Sequence, residues 1–265
     1  MKTEDILYCQ NLLFGLAEDI KKDFRIKTHS KDLESQFKRF NTINDRAKSI
    51  LEKALTDYFT DTLWSDHEFD EEKQHHPDFK KDYWICDSID GAIHFLQGIC
   101  PWCMTITLMR MSEPLFTMVY EPAAQEFFYA VKDQGAYLNG EKLNVSTKHF
   151  LGHAILGTSH PNNLAGDVIH TGLFLKGVKR IARSVFFFSM LGPSSLQLAY
   201  VACGRLDGYF EYGSDIYDWL GGALLVCEAG GSITDAAGRN LQFNRNGIVA
   251  ANPILSKKLL KCICE

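Results

Sequence analysis

No stretch of the 265 residues approaches the roughly 18 to 20 consecutive apolar residues that a membrane span requires, which excludes a helical membrane protein. Nor is there a long basic block. Twenty-eight Lys and Arg face 33 Asp and Glu, a net charge of −5. Neutralising a phosphate backbone or an anionic bilayer needs clustered cations, so neither nucleic acid nor a membrane is an expected partner. The opening residues Met1-Lys2-Thr3-Glu4-Asp5 lack the basic and apolar regions of a signal peptide, and a cytoplasmic location is expected. The eight cysteines lack the spacing of a secreted disulfide framework. Cys9, Cys86, Cys203 and Cys227 sit inside apolar runs, where a thiol behaves as a small hydrophobe. No internal repeat or low-complexity tract is present.

What the sequence does contain is 46% hydrophobic residues, enough to bury a large core. Apolar spacing predicts helices over 5–22 and 44–59, with the polar segment 26–40 a loop or hairpin and 65–82 an exposed loop. Tyr83 to Cys86 reads as a short buried strand. Segments 103–111, 114–121 and 126–132 read as an antiparallel meander, and Asn139-Gly140 as a tight turn. Beyond 150, strands at 154–158, 181–187 and 207–212 alternate with helices at 193–203, 216–229 and 254–263. The expected organisation is an N-terminal α+β half, 1–150, and a C-terminal α/β half, 151–265, packed together.

The most informative stretch is Asp87-Ser88-Ile89-Asp90-Gly91-Ala92, at the end of that buried strand. Two nearby carboxylates repel each other unless a cation lies between them, and hard oxygen donors suit Mg²⁺. Gly91 permits a tight turn into a helix whose free N–H groups would hold a phosphate. A surface turn with capping acids is the alternative. Asp70-Glu71-Glu72 alone reads as a solvated charge run. Asp218 opens a small-residue helix that closes on Glu228-Ala229-Gly230-Gly231, where the Gly pair reads as a C-cap.

Taken together, an acidic pair, a strand ending in D-x-I-D-G and an Asp-led helix ending in E-A-G-G resemble the inositol monophosphatase family. Asp133 to Ser146 and Tyr200 to Glu211 are similar to its connecting segments. The resemblance implies a layered α-β-α-β-α sandwich, an α/β fold shared with fructose-1,6-bisphosphatase, and a homodimer. It implies Mg²⁺-dependent hydrolysis of a small-molecule phosphate monoester, with two or three ions bound. Glu71, Asp87, Asp90 and Asp218, with the carbonyl of Ile89, would be the metal ligands. Gly91 and Ala92 would cradle phosphate, and Glu211, with Asp90 and Asp218, would contact the substrate. The acid that helps place the attacking water, beside Glu71, Asp87 and Asp90, corresponds best to Asp45.

The chain departs from the family pattern at several points. The motif Thr, whose hydroxyl orients the water, is Ala92; the motif Pro is Ser88, and the usual Asn is His94. These changes raise an alternative: a catalytically weakened homologue that binds metal and a phosphorylated ligand or protein partner. Cys100-Pro101-Trp102-Cys103 has redox spacing, but a strand rather than a helix is expected to follow it, which argues against a thioredoxin-like site.

Overall fold

The computed structural model describes residues 1–24, 32–67, 73–74, 79–160, 168–241 and 247–264. Two sheets form its frame. One, in the order β1-β2-β3-β4-β5-β6-β7, comprises Leu63–Trp64, Tyr83–Asp90, Cys103–Arg110, Glu113–Glu121, Glu126–Val131, Gly135–Leu138 and Glu141–Lys142. It is antiparallel except for the β1–β2 pair. Asn139 and Gly140, both at positive φ, make the β6–β7 turn that the dipeptide signals. The second sheet contains β8 (Ile155–Thr158), β9 (Phe187–Met190), β10 (Gly208–Glu211), β11 (Ser232–Thr234) and β12 (Ile248–Ala251), in the order β11-β12-β10-β8-β9.

Helices α1 (Thr3–Ile20) and α2 (Leu33–Tyr58) cover the outer face of the first sheet. Cys9, Leu13, Leu16, Ala17 and Ile20 recur at helical spacing on the buried side of α1. Phe40, Ile43, Ala47, Leu51 and Leu55 do so on α2, and each large side chain contributes about 1.5–3 kcal/mol by burial. Helix α2 begins well before the expected residue 44. Asp32 accepts a hydrogen bond from the Ser35 N–H at 2.7 Å, a cap that makes 33–40 helical despite its polarity.

Strand alternation assigns the other layers. Met118 and Tyr120 face α1 and α2, whereas Val119 faces inward to α5 (Ser194–Ala202) and α6 (Tyr217–Glu228). Tyr209 and Ala250 meet the same two helices from the second sheet. Phe210, Val249 and Ala251 point the opposite way, to α4 (Val168–Ile181) and α7 (Pro253–Cys264). The result is the five-layer α-β-α-β-α sandwich, with α5 and α6 shared between the sheets.

Three expectations change here. The strand expected at 181–187 lies later in the chain: α4 runs to Ile181 and β9 spans Phe187–Met190. The stretch between the strands expected at 154–158 and 181–187, where no helix is expected, is helical from Val168. Within 65–82, Ser65 and Gln74 are buried rather than exposed, and the Gln74 side chain accepts from the Ile216 N–H at 3.2 Å.

Candidate metal and phosphate site

Strand geometry opposes bringing Asp87 and Asp90 together. Side chains three apart on a regular strand point to opposite faces. Up to residue 87 the alternation is regular: Trp84 and Cys86 face α1 and α2, while Tyr83 and Ile85 pack on Ile216, Tyr217 and Leu220. The β2–β3 register then shifts between Asp87 and Asp90. This bulge returns Asp90 to the face of Asp87 and leaves Ser88 and Ile89 toward α2. The Asp87 carboxylate accepts from the Ile89 N–H at 3.0 Å, which fixes the bend.

From the far side, α6 supplies Asp218 in its first turn. One carboxylate oxygen each from Asp87, Asp90 and Asp218 lies within 4.8 Å of the others. These acids line a cavity of about 690 Å³ together with Glu211 and Asp215. Asp87 and Asp90 are buried and Asp218 is partly so. Burial lifts Asp90 to about 7; hydrogen bonds from Ser195 and Cys103 oppose this, and nearby Glu211 adds to it. Asp218 is pushed well above the carboxylate range by burial first, then by Asp215, Asp90, Asp87 and Glu211. Among the described residues, nothing donates a hydrogen bond to its carboxylate. Converging oxygen donors of like charge fit a hard divalent cation, which would relieve that repulsion.

Gly91 sits at φ +95° and begins the short helix α3 (Ala92–Gln97). A side chain there would be strained and would press on Pro193, 3.1 Å from the position of its Cβ. Ala92 follows at the cavity wall. His94 lines the cavity too, and its Nδ1 lies 2.7 Å from the Pro101 carbonyl.

Glu211 is anchored through a single oxygen. Its Oε2 accepts from Tyr209, from Trp219 Nε1 at 2.9 Å and from Ser194 at 3.0 Å. Among the described residues Oε1 has no donor, although the residue lines the cavity. Burial still raises the Glu211 pKa against those three donors.

The structure therefore gathers Asp87, Ile89, Asp90, Gly91, Ala92, Glu211 and Asp218 around one cavity. Glu71 lies outside the described residues. Asp45 does not join the group: it is exposed on α2. The α2 side chain that reaches β2 is its neighbour Asn44, whose Oδ1 accepts from Ser88 at 2.5 Å. The helical face decides this, since Asn44 shares the buried stripe of Phe40, Ala47, Leu51 and Leu55. Sequence reading also passed over Ser194, Ser195 and Asp215. Asp215 was legible, as an acid three residues before Asp218. The serines were not, because nothing local distinguishes them from ordinary helix-start residues. Cys103 is buried, with Sγ 3.6 Å from the Asp90 carboxylate, whereas Cys100 is exposed.

A model of the inositol monophosphatase family matches residues 3–265. An inositol-1-monophosphatase of Mesorhizobium japonicum is 33% identical over 180 residues, covering 68% of this chain and 66% of that protein. The Nus factor SuhB of Escherichia coli K12 is 34% identical over 177 residues, 67% of this chain and 65% of that protein. These alignments thus span just under two thirds of each relative. Solved structures agree in fold over more of the chain. The SuhB protein of Bartonella henselae superposes with a TM-score of 0.81 at 22% identity, covering 99% of this chain and 100% of that one. A Thermotoga maritima IMPase gives 0.80 at 22%, covering 98% and 97%. No helix among the described residues is long and apolar enough to cross a membrane.

Proposed function

The chain belongs to the inositol monophosphatase family, and from that premise we propose that it is a Mg²⁺-dependent phosphatase of a small phosphate monoester, whose alcohol is a polyol, sugar or nucleoside. The observation that carries this reading is the meeting of Asp87, Asp90 and Asp218, distant in sequence, with oxygens within 4.8 Å. In this proposal they hold the cations with Glu71 and the Ile89 carbonyl, two or three ions in all. Bound Mg²⁺ supplies Lewis acidity toward phosphoryl oxygens, a more acidic water and a counter-charge for the leaving oxygen. The N–H groups at Gly91 and Ala92 hold the phosphate at the start of α3. Glu211 Oε1, to which none of the described residues donates while Oε2 is anchored, accepts a hydroxyl of the substrate's alcohol half. The test is release of inorganic phosphate from a panel of phosphorylated metabolites with and without Mg²⁺. Release that needs Mg²⁺ and is lost in Asp90→Asn supports the reading; metal-independent release that survives this change defeats it.

One observation favours the second reading, a weakened homologue that keeps ligand binding. Ala92 has no hydroxyl, and Ser88 cannot stand in for it: its hydroxyl is buried on the α2 side and donates to Asn44. A lost contact of this kind costs about 10²–10⁴-fold in rate. In that reading Ala92→Thr raises turnover at least tenfold. No gain means that another group places the water.

We also propose a homodimer. Phe187 lies on β9, an edge strand, and is exposed, as is Phe186 just before it. Apolar side chains at an open sheet edge favour a self-associating face. Light scattering that gives a monomer mass at micromolar concentration rejects it.

A further inference from the structure

The carboxylates at the cavity come from separate layers, so something must hold them in register. Asp90 ends β2 of the first sheet, and Asp218 lies in the first turn of α6. Ser195 touches both. The backbone N–H of Ser195 donates to the Asp90 carboxylate at 3.1 Å, and its hydroxyl donates to the Asp218 carbonyl at 2.8 Å. Ser195 is fully buried.

Each contact has a local cause. The N–H belongs to the first turn of α5, where no intrahelical acceptor exists, so a carboxylate brought from β2 completes the helix terminus. A serine hydroxyl is short, so it reaches the α6 backbone only if the helices approach closely. Gly222 provides that approach: a Cβ there would lie 3.0 Å from the Ser195 carbonyl oxygen and would overlap Leu198. The next-door hydroxyl, Ser194, serves a different group, since it donates to Glu211 at 3.0 Å.

We infer that Ser195 is a positioning residue for the cation site, setting the place of Asp218 relative to Asp90 through its hydroxyl. The inference rests on the reading of Asp87, Asp90 and Asp218 as cation ligands. Ser195→Ala removes only the hydroxyl, which bears on the Asp90 carboxylate as well as on the Asp218 carbonyl, because alanine keeps the N–H that caps Asp90 and suits the helix. Groups that orient ligands from behind typically change metal affinity about 10–100-fold when removed.

The experiment is thermal melting of the wild type, Ser195→Ala and Ser194→Ala, first in chelator and then across a MgCl₂ titration. Melting reports cation binding directly, because a ligand of the folded state raises Tm with its concentration relative to Kd. The expected result for Ser195→Ala is a metal-free Tm within a few degrees of wild type and at least a tenfold higher Mg²⁺ concentration for the same rise. Ser194→Ala keeps the wild-type Mg²⁺ requirement. An unchanged requirement in Ser195→Ala overturns the inference, whatever its metal-free Tm. So does an equal increase in both serine variants, which would mean general loosening of the α5 terminus. A wild type whose Tm does not respond to Mg²⁺ removes the cation-site reading itself, and this inference with it.

Discussion

Asp207 directly precedes strand β10 and Asp218 lies in the first turn of the helix that follows it, yet their surroundings are opposite. Asp207 is saturated with donors: Ser146, Lys148 Nζ at 2.7 Å and the Ile155 N–H at 2.7 Å. Asp235, also buried, is similar, held by Arg239 Nε at 2.8 Å and two backbone N–H groups. Asp218 instead faces carboxylates, and each of them raises its pKa. The difference separates acids that hold the fold from acids that the fold tolerates. A buried charge with its own donors stabilises its surroundings, whereas one facing like charges needs a ligand from outside.

The largest expected effect tests that division at the cavity. In the proposed site, Asp90→Asn or Asp218→Asn removes a cation ligand and several kcal/mol of charge stabilisation, so the proposed Mg²⁺-dependent phosphate release falls by about 10³-fold or more. In chelator the same variants melt above the wild type, because they remove a crowded carboxyl. A lower Tm in chelator would place these acids with Asp207 and erase the comparison.

Next is pH. The folded-state pKa values of Asp90 (about 7) and Asp218 (well above its ordinary value) exceed the unfolded value near 4. A group raised in this way lends stability that is complete below the unfolded pKa and is lost as pH climbs through the folded one. The metal-free protein therefore loses stability between about pH 4 and pH 7, and Asp90→Asn flattens part of that slope. Denaturant melts in chelator across this range check it. A stability that rises through the window contradicts it.

At the saturated acid the sign reverses. Asp207→Ala leaves the Ile155 N–H and the Ser146 hydroxyl without an acceptor and costs about 3 kcal/mol. Lys148 adds little to this, being 43% exposed in its side chain. Tm falls by roughly 5 °C, and the Mg²⁺ dependence of phosphate release stays as in the wild type.

Much of the fold was legible because it is written in local periods. The stripes of α1 and the second half of α2, the β3–β4–β5 meander, and α6 with its Gly230 C-cap at positive φ all follow from neighbours in sequence. The start of α2 did not, since its first turns are polar and depend on the Asp32 cap. Neither did α4, whose exposed Val168, Ile169, Leu173 and Leu175 blur its apolar stripe. Within the candidate site, the strand-end acids could be picked out by type and spacing, but their shared face depends on a bulge that only the β3 pairing reveals. Ser195 was out of reach because its contact with Asp90 spans 105 residues.

The smallest effect sharpens the comparison within a single strand. Asp87 and Ser88 are adjacent, yet the pleat sends one to the cavity and the other to α2. Ser88→Ala removes the hydroxyl that donates to Asn44 Oδ1, and it leaves a buried amide oxygen short of a donor. That costs about 1–2 kcal/mol. Phosphate release and its Mg²⁺ requirement do not change, because the lost hydroxyl is on the sheet face away from the carboxylates. Chemical denaturation and a phosphate assay on the same variant separate the two outcomes. A rate that falls while stability holds would bring Ser88 into the chemistry and overturn the assignment of β2 to one structural and one reactive face.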